Sequence, residues 1–311
     1  MRIIFAGTPQ VAVPSLRALI GAGHDVALVI TREDAPVGRK SVMTPSPVAT
    51  FADELGLNVL KTNRIGDLEL QQIRSVRAEL GIVVAFGLLF KEPVLSATAH
   101  GWLNLHFSAL PKWRGAAPVQ RALIAGEREL GITVFRLDEG MDSGDIVDQS
   151  TTHIVSNQSA KQVLDSLAID GANLVVDAAS KVLSGTAVFK AQIGEPSYAP
   201  KLVREDGRID WGRTANALVS QWAGVTPDPG AFTHHQGNLL KIVSMDNAAS
   251  PSVMAAFSAS DLPGTTKSVS GRVFTLTSDG TVELLVVQPA GKTAMSASDW
   301  MRGRGDEVIL S

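Results

Sequence analysis

The run Ile82-Val83-Val84-Ala85 is apolar at every position. A strand with one face in water alternates, so this run reads as a strand covered on both faces, the usual condition of a parallel sheet. It lies in the apolar stretch 81–90, only about half the ~20 residues that a helix needs to cross a bilayer. No membrane span is expected. Working outward, strands are expected at 2–6, 25–30, 58–60 and 102–106, and helices at 11–21, 48–55 and 117–125. Short strands alternating with helices give an α/β class, a doubly wound, mostly parallel, Rossmann-like sheet, with ligands at the carboxyl ends of its strands.

A long helix is expected over 159–183, where Val163, Leu167, Leu174 and Val182 recur at helical spacing and Gly185 follows. Residues 187–205 contain Gly194, Pro196 and Pro200 and read as a surface linker. Beyond them the pattern changes to a helix near 214–221 and strands at 230–233, 239–244, 271–276 and 282–288, while 248–260 reads as a loop. Two domains are therefore expected, 1–205 and 206–311, the second a smaller β-barrel of OB-like character. The chain has no cysteine, which excludes disulfides, thiolate catalysis and Cys-based metal sites. Its net charge of −3 is no signature of nucleic-acid binding. The first residues turn into a Gly7-Thr8-Pro9 loop too early for a signal peptide, so a cytoplasmic protein is expected.

Chemistry concentrates after the strand at 102–106. Alternation puts the Asn104 and His106 side chains on one side of it. The loop that follows holds Pro111, Trp113, Arg114 and Gly115, and Asp142-Ser143-Gly144-Asp145 comes after a further strand-like run. A carboxylate beside a histidine holds its tautomer and stabilises its charged form. The same four residues also read well as a tight turn, and the residue types alone leave both readings open.

Asn104-Leu105-His106, the loop Leu110-Pro111-Lys112-Trp113-Arg114-Gly115-Ala116-Ala117-Pro118, and Gly131-Ile132-Thr133 leading into Glu139-Gly140-Met141-Asp142-Ser143-Gly144-Asp145 resemble the methionyl-tRNA formyltransferase family. The resemblance runs from Phe5-Ala6-Gly7-Thr8-Pro9 through Tyr198-Ala199-Pro200-Lys201-Leu202 to Gln288-Pro289-Ala290-Gly291-Lys292 and Arg302-Gly303, nearly the whole chain. It implies formyl transfer from 10-formyltetrahydrofolate to the amine of initiator methionyl-tRNA, with no metal, and with Asn104, His106 and Asp142 in the catalytic positions. It also implies a folate site at Phe86, Gly87, Leu88 and Leu89 and at Leu137, Asp138, Glu139, Gly140 and Met141. By the same resemblance, contacts to the aminoacyl-tRNA are expected at Ser108, Leu110, Pro111, Arg39 and Lys40. A monomer is expected. Another formyl-folate transferase or hydrolase would share the three catalytic residues without needing the motifs at 288–302, and a catalytically silent RNA-binding protein would have no use for the three.

Two departures bear on the tRNA. The loop 31–47 is long for a strand-to-helix connection; the family's basic run there is thinned to Ser41 and Val42. Residues 201–311 hold ten Lys and Arg against eleven Asp and Glu, so any RNA-binding face is local. Asp228 and the Gln221-Trp222-Ala223 stretch lack the family's usual aromatic and arginine. Trp211, Trp222 and Trp300 fit core packing better than base stacking. Arg39 keeps a guanidinium suited to phosphate. Arg39→Ala should weaken tRNA use and flatten the log-affinity against log-salt slope by roughly 0.7 to 0.9, with folate affinity unchanged. Titration of both ligands at several salt concentrations checks this, and an unaltered tRNA slope would count against it.

Overall fold

The computed structural model describes residues 1–311 except Arg39, Ser156 and Ala249, so the candidate Arg39 lies outside the described residues. The chain divides into two units. The first comprises Met1–Pro118, Glu129–Thr152 and Leu164–Ala199; the second comprises Val119–Arg128, His153–Val163 and Pro200–Ser311.

The first part of the chain contributes strands β1 (Arg2–Gly7), β2 (Asp25–Thr31), β3 (Ala35–Val37), β4 (Val42–Thr44), β5 (Val59–Lys61), β6 (Leu80–Val84), β7 (Trp102–His106), β8 (Glu129–Arg136) and β9 (Ile146–His153). Its helices are α1 (Val13–Gly21), α2 (Pro47–Glu54), α3 (Asp67–Ser75), α4 (Pro118–Ile124) and α5 (Ala160–Leu183). Seven strands form one sheet in the order β5-β2-β1-β6-β7-β8-β9. The neighbours from β5 to β7 are parallel and β8 runs antiparallel to β7. Every residue of β6 is buried, as its unbroken apolar run requires. The order reverses between β1 and β6, which makes their carboxyl ends a topological switch point. There Thr8 Oγ1 donates to the Phe86 carbonyl at 3.1 Å, joining the loops that follow the two strands.

Three departures from expectation have local causes. The long loop after β2 contains the β3–β4 hairpin, and its foot is fixed by a buried hydrogen bond of 2.6 Å between the Thr31 and Ser46 hydroxyls. Ser46 also caps α2, accepting from the Ala49 amide at 3.0 Å. Helix α3 buries only Leu70 and Ile73, too few for a periodic signal. The stretch read as a surface linker is bonded into the first unit: Lys190 and Ile146 exchange backbone hydrogen bonds of 2.8 and 2.9 Å, and Tyr198 pairs with Arg114.

The second unit adds α6 (Ala215–Val225), β10 (Ala231–His235), β11 (Asn238–Asn247), α7 (Pro251–Met254), β12 (Thr265–Val269), β13 (Arg272–Leu276), β14 (Thr281–Pro289), β15 (Met295–Ser296), α8 (Ala297–Met301) and β16 (Glu307–Ile309). Helix α7 falls in the stretch expected to be a loop. The antiparallel sheet runs β10-β11-β14-β13-β12-β16, with β15 against β14. Its ends meet where His234 of β10 and Ser311 exchange backbone hydrogen bonds of 2.8 and 2.9 Å, so the sheet curls into a barrel-like wall. Trp211, Trp222 and Trp300 are all buried in the core beneath it.

The first sheet tolerates no side chain at Gly81, where a Cβ would collide with the fully buried Trp102 ring. Gly81→Ala should therefore destabilise the protein by about 1–3 kcal/mol, as overpacking does. Urea unfolding followed by tryptophan fluorescence measures the loss.

Candidate active site

Strand β7 ends in the candidate residues because its polar positions alternate with core positions. Leu103 and Leu105 are buried on one side, and Asn104 and His106 share the other. Asn104 is half-buried, and among the described residues its side-chain amide has no hydrogen-bond partner, which leaves a donor available. His106 is only 6% exposed. Its Nε2 lies 2.9 Å from the Trp113 carbonyl, an acceptor that calls for a proton on that nitrogen. In the neutral ring Nδ1 is then the free lone pair, and it lies 3.8 Å from Asp142 Oδ2.

Asp142 satisfies both sequence readings at once. Its backbone is left-handed, at φ 49°, as a turn residue. Its carboxylate nevertheless faces the site, where Oδ2 accepts from the Gly115 amide at 2.7 Å. The turn is tight because Gly144 abuts the Arg136 carbonyl oxygen, a position no Cβ could share. Gly115 has φ 120°, and a Cβ there would meet the Ala199 carbonyl oxygen at 2.9 Å. Burial pushes the His106 imidazole below the ordinary value of 6.5, against the upward pull of the Asp142 carboxylate and then of the Trp113 carbonyl. The ring is therefore uncharged at neutral pH and able to accept a proton on Nδ1.

The remaining candidates fall into two groups. Ser108 and Leu110 are buried, and their loop is held from below: Thr133 Oγ1 donates to the Ser108 carbonyl at 2.7 Å and accepts from the Leu110 amide at 3.2 Å. Gln149 Nε2 donates to Thr133 Oγ1 at 2.8 Å and to the Leu110 carbonyl at 3.1 Å. The Ser108 hydroxyl is used on the Lys112 carbonyl. These groups shape the loop up to Pro111, and the Ser108 and Leu110 side chains face inward. Among the folate candidates, Phe86 is 1% exposed and packs edge-on against Phe90, so its ring belongs to the core. Asp138 closes its own loop, accepting from the Gly140 amide at 3.0 Å and from Ser143 Oγ at 2.9 Å. Leu89 and Met141 are 68% and 50% exposed, large apolar groups left in water beside Leu88, Gly87, Leu137, Glu139 and Gly140 in sequence. Lys40 is exposed on the turn of the β3–β4 hairpin.

Residues 1–179 match the family model described as formyl transferase, and residues 201–305 match its C-terminal domain. The chain is 49% identical to the methionyl-tRNA formyltransferase of Clavibacter sepedonicus over 311 residues, all of both chains. It is 47% identical to that of Leifsonia xyli subsp. xyli, again over the whole of both. The chain belongs to the methionyl-tRNA formyltransferase family. It is accordingly a formyl-group transferase. In fold it is similar to an N-formyltransferase from Helicobacter canadensis solved with folinic acid and dTDP-3-aminofucose, at a TM-score of 0.68 and 19% identity, covering 92% of this chain and 98% of that one. No described helix is long and apolar enough to cross a membrane.

The position of His106 sets a pH signature for this formyltransferase. The His106 ring should titrate below 6.5, since burial outweighs the charge of Asp142, and an acidic limb of kcat/KM at the same pH would mark it as the proton acceptor. Asp142→Asn removes the larger upward pull and should move the His106 titration lower still while cutting turnover by about 100-fold. A pH–rate profile, with an NMR titration of the His106 ring, checks both.

Proposed function

We propose that the first unit formylates the α-amine of methionine on initiator tRNA, with Asn104, His106 and Asp142 as its catalytic residues and 10-formyltetrahydrofolate as the donor. The observation that carries this reading is the buried His106, whose Nδ1 faces Asp142 while the unpartnered Asn104 amide shares its strand face. Bound 10-formyltetrahydrofolate supplies a formyl group already activated for acyl transfer. The exposed apolar side chains of Leu89 and Met141 fit an aromatic ligand that would cover them, and this reading assigns the polar edge of its pterin to backbone groups of 86–89 and 137–141 other than the Phe86 carbonyl and the Leu137 and Gly140 amides, which are already bonded.

The protein's own groups then have distinct tasks. Asn104 Nδ2 donates to the formyl oxygen as it gains negative charge. His106 Nδ1 accepts the proton that the attacking amine must lose, directly or through one water, while Nε2–H stays on the Trp113 carbonyl. Asp142, held by the Gly115 amide, stabilises the imidazolium formed and favours its Nδ1–H, from which the proton passes to the departing nitrogen. No side-chain nucleophile is needed, because the substrate amine is the nucleophile.

For the second unit we infer an RNA-binding role that positions the acceptor arm. Trp211 and Trp222 use their indole N–H groups inside the unit, on Thr233 Oγ1 at 3.0 Å and the Val243 carbonyl at 3.2 Å, so cations carry the task instead. Lys292 and Arg304 line one groove of about 1150 Å³ with His235 and Trp300, and they are the candidates this reading favours.

Labelled formyl transfer offered to methionyl initiator tRNA, free methionine and water as alternative acceptors tests the reading. The aminoacyl-tRNA should be strongly preferred, and Asn104→Ala and His106→Ala should each lower its turnover by at least about 100-fold in folded protein. Equal transfer to water, or near-normal turnover in either variant, would overturn it.

A further inference from the structure

Gln192 lies in the stretch that reads as a linker, yet its amide has all its hydrogen-bonding capacity engaged around the candidate active site. Oε1 accepts from Arg114 Nε at 3.2 Å and from Arg114 Nη2 at 2.6 Å. Nε2 donates to the Asp142 carbonyl at 2.8 Å and to the Gly144 carbonyl at 2.9 Å. One planar group thus ties the loop after β7 to the turn that presents the catalytic carboxylate. Neighbouring residues reinforce the tie: Ser197 Oγ accepts from the Trp113 amide at 2.9 Å, and Ala199 N donates to the Arg114 carbonyl at 2.7 Å.

We propose that Gln192 is a positioning residue for formyl transfer, holding the Asp142 turn against the Arg114–Gly115 loop so that the carboxylate stays beside His106. The proposal rests on Asn104, His106 and Asp142 being the catalytic set. The chemistry selects an amide at this point. Arg114 offers donors and needs an acceptor, while the two carbonyls offer acceptors and need donors; glutamate would meet only the first need and methionine neither. Arg114 and Asp142 are linked by Gln192 from one side and by the Gly115 amide from the other, so the turn is held at two points. Releasing one lets the left-handed Asp142 relax and carries its carboxylate away from Nδ1. Around His106 the neighbours are Asp142, which brings charge, the Trp113 carbonyl and the Phe135 ring. A displaced Asp142 therefore registers directly in the imidazole.

The test follows the His106 ring by NMR against pH in the full chain, together with kcat and KM for methionyl-tRNA. Gln192→Met should lower kcat at least about tenfold with little change in KM, and should move the His106 midpoint to lower pH. Adding Gln192→Met to Asp142→Asn should change neither quantity by more than about twofold, because the group it positions is already gone. Gln192→Glu keeps the acceptors for Arg114 but loses the donors and sets a carboxylate oxygen against the two carbonyls, so it repeats the kcat test if the methionine variant fails to fold. An unmoved His106 midpoint in folded Gln192→Met, or losses that multiply in the double variant, would overturn the proposal and leave Gln192 a structural tie. Absence of formyl transfer by the unaltered protein would instead refute the catalytic reading, and the His106 titration would still report on Gln192.

Discussion

A histidine closed off from water at the end of a sheet needs an acceptor for its ring N–H from the protein itself, and the loop that follows the sheet strand answers to that demand. The Trp113 carbonyl takes one nitrogen. To offer it, the chain turns through a left-handed Trp113, at φ 60°, and then through Gly115, whose amide is spent on Asp142. Thus one buried imidazole couples the loop after β7 to the turn beyond β8. Among the polar groups described there, His106 Nδ1 and the Asn104 amide are left without a hydrogen-bond partner, and those two are the groups our reading assigns to acyl transfer.

Legibility in the sequence followed the kind of force at work. Strands β1, β2, β6 and β7 are built by apolar burial, and burial writes itself into residue type, so their positions could be read to within a residue or two. Strand β9 could not, since Asp148-Gln149-Ser150-Thr151-Thr152 carries little apolar signal and the strand is largely exposed. Asn104 and His106 were legible because a period of two is simple geometry. Asp142 was legible only as a pair of alternatives, and the structure shows why: a turn residue and a carboxylate facing a histidine are here the same residue. Gln192 left no trace. Its segment is held by backbone hydrogen bonds, which any residue but proline can make, and one glutamine among glycine and prolines looks like a spacer.

The second unit spends its large aromatics inward. With Trp211, Trp222 and Trp300 committed to the core and a nearly balanced charge, it offers a polyanion only local clusters of cations. Affinity for a polyanion built from a few cations is sensitive to salt and generous about sequence, whereas the identity of a base must be read by hydrogen bonds or by shape. Such a surface suits a protein that holds its partner for one reaction and then lets it go.

The groups proposed for the active site are widely spaced along the chain: Asn104 and Gln192 stand 88 residues apart, with Arg114 and Asp142 between them. Closing so long a loop costs entropy before any contact within it repays the cost. A growing polypeptide that has reached the end of β9 already contains the histidine, the asparagine and the aspartate, but nothing yet spans Arg114 and the aspartate turn from the far side. That bridge comes with the residues that follow α5, so the Asp142 turn gains its tie to Arg114 only once those residues are in place.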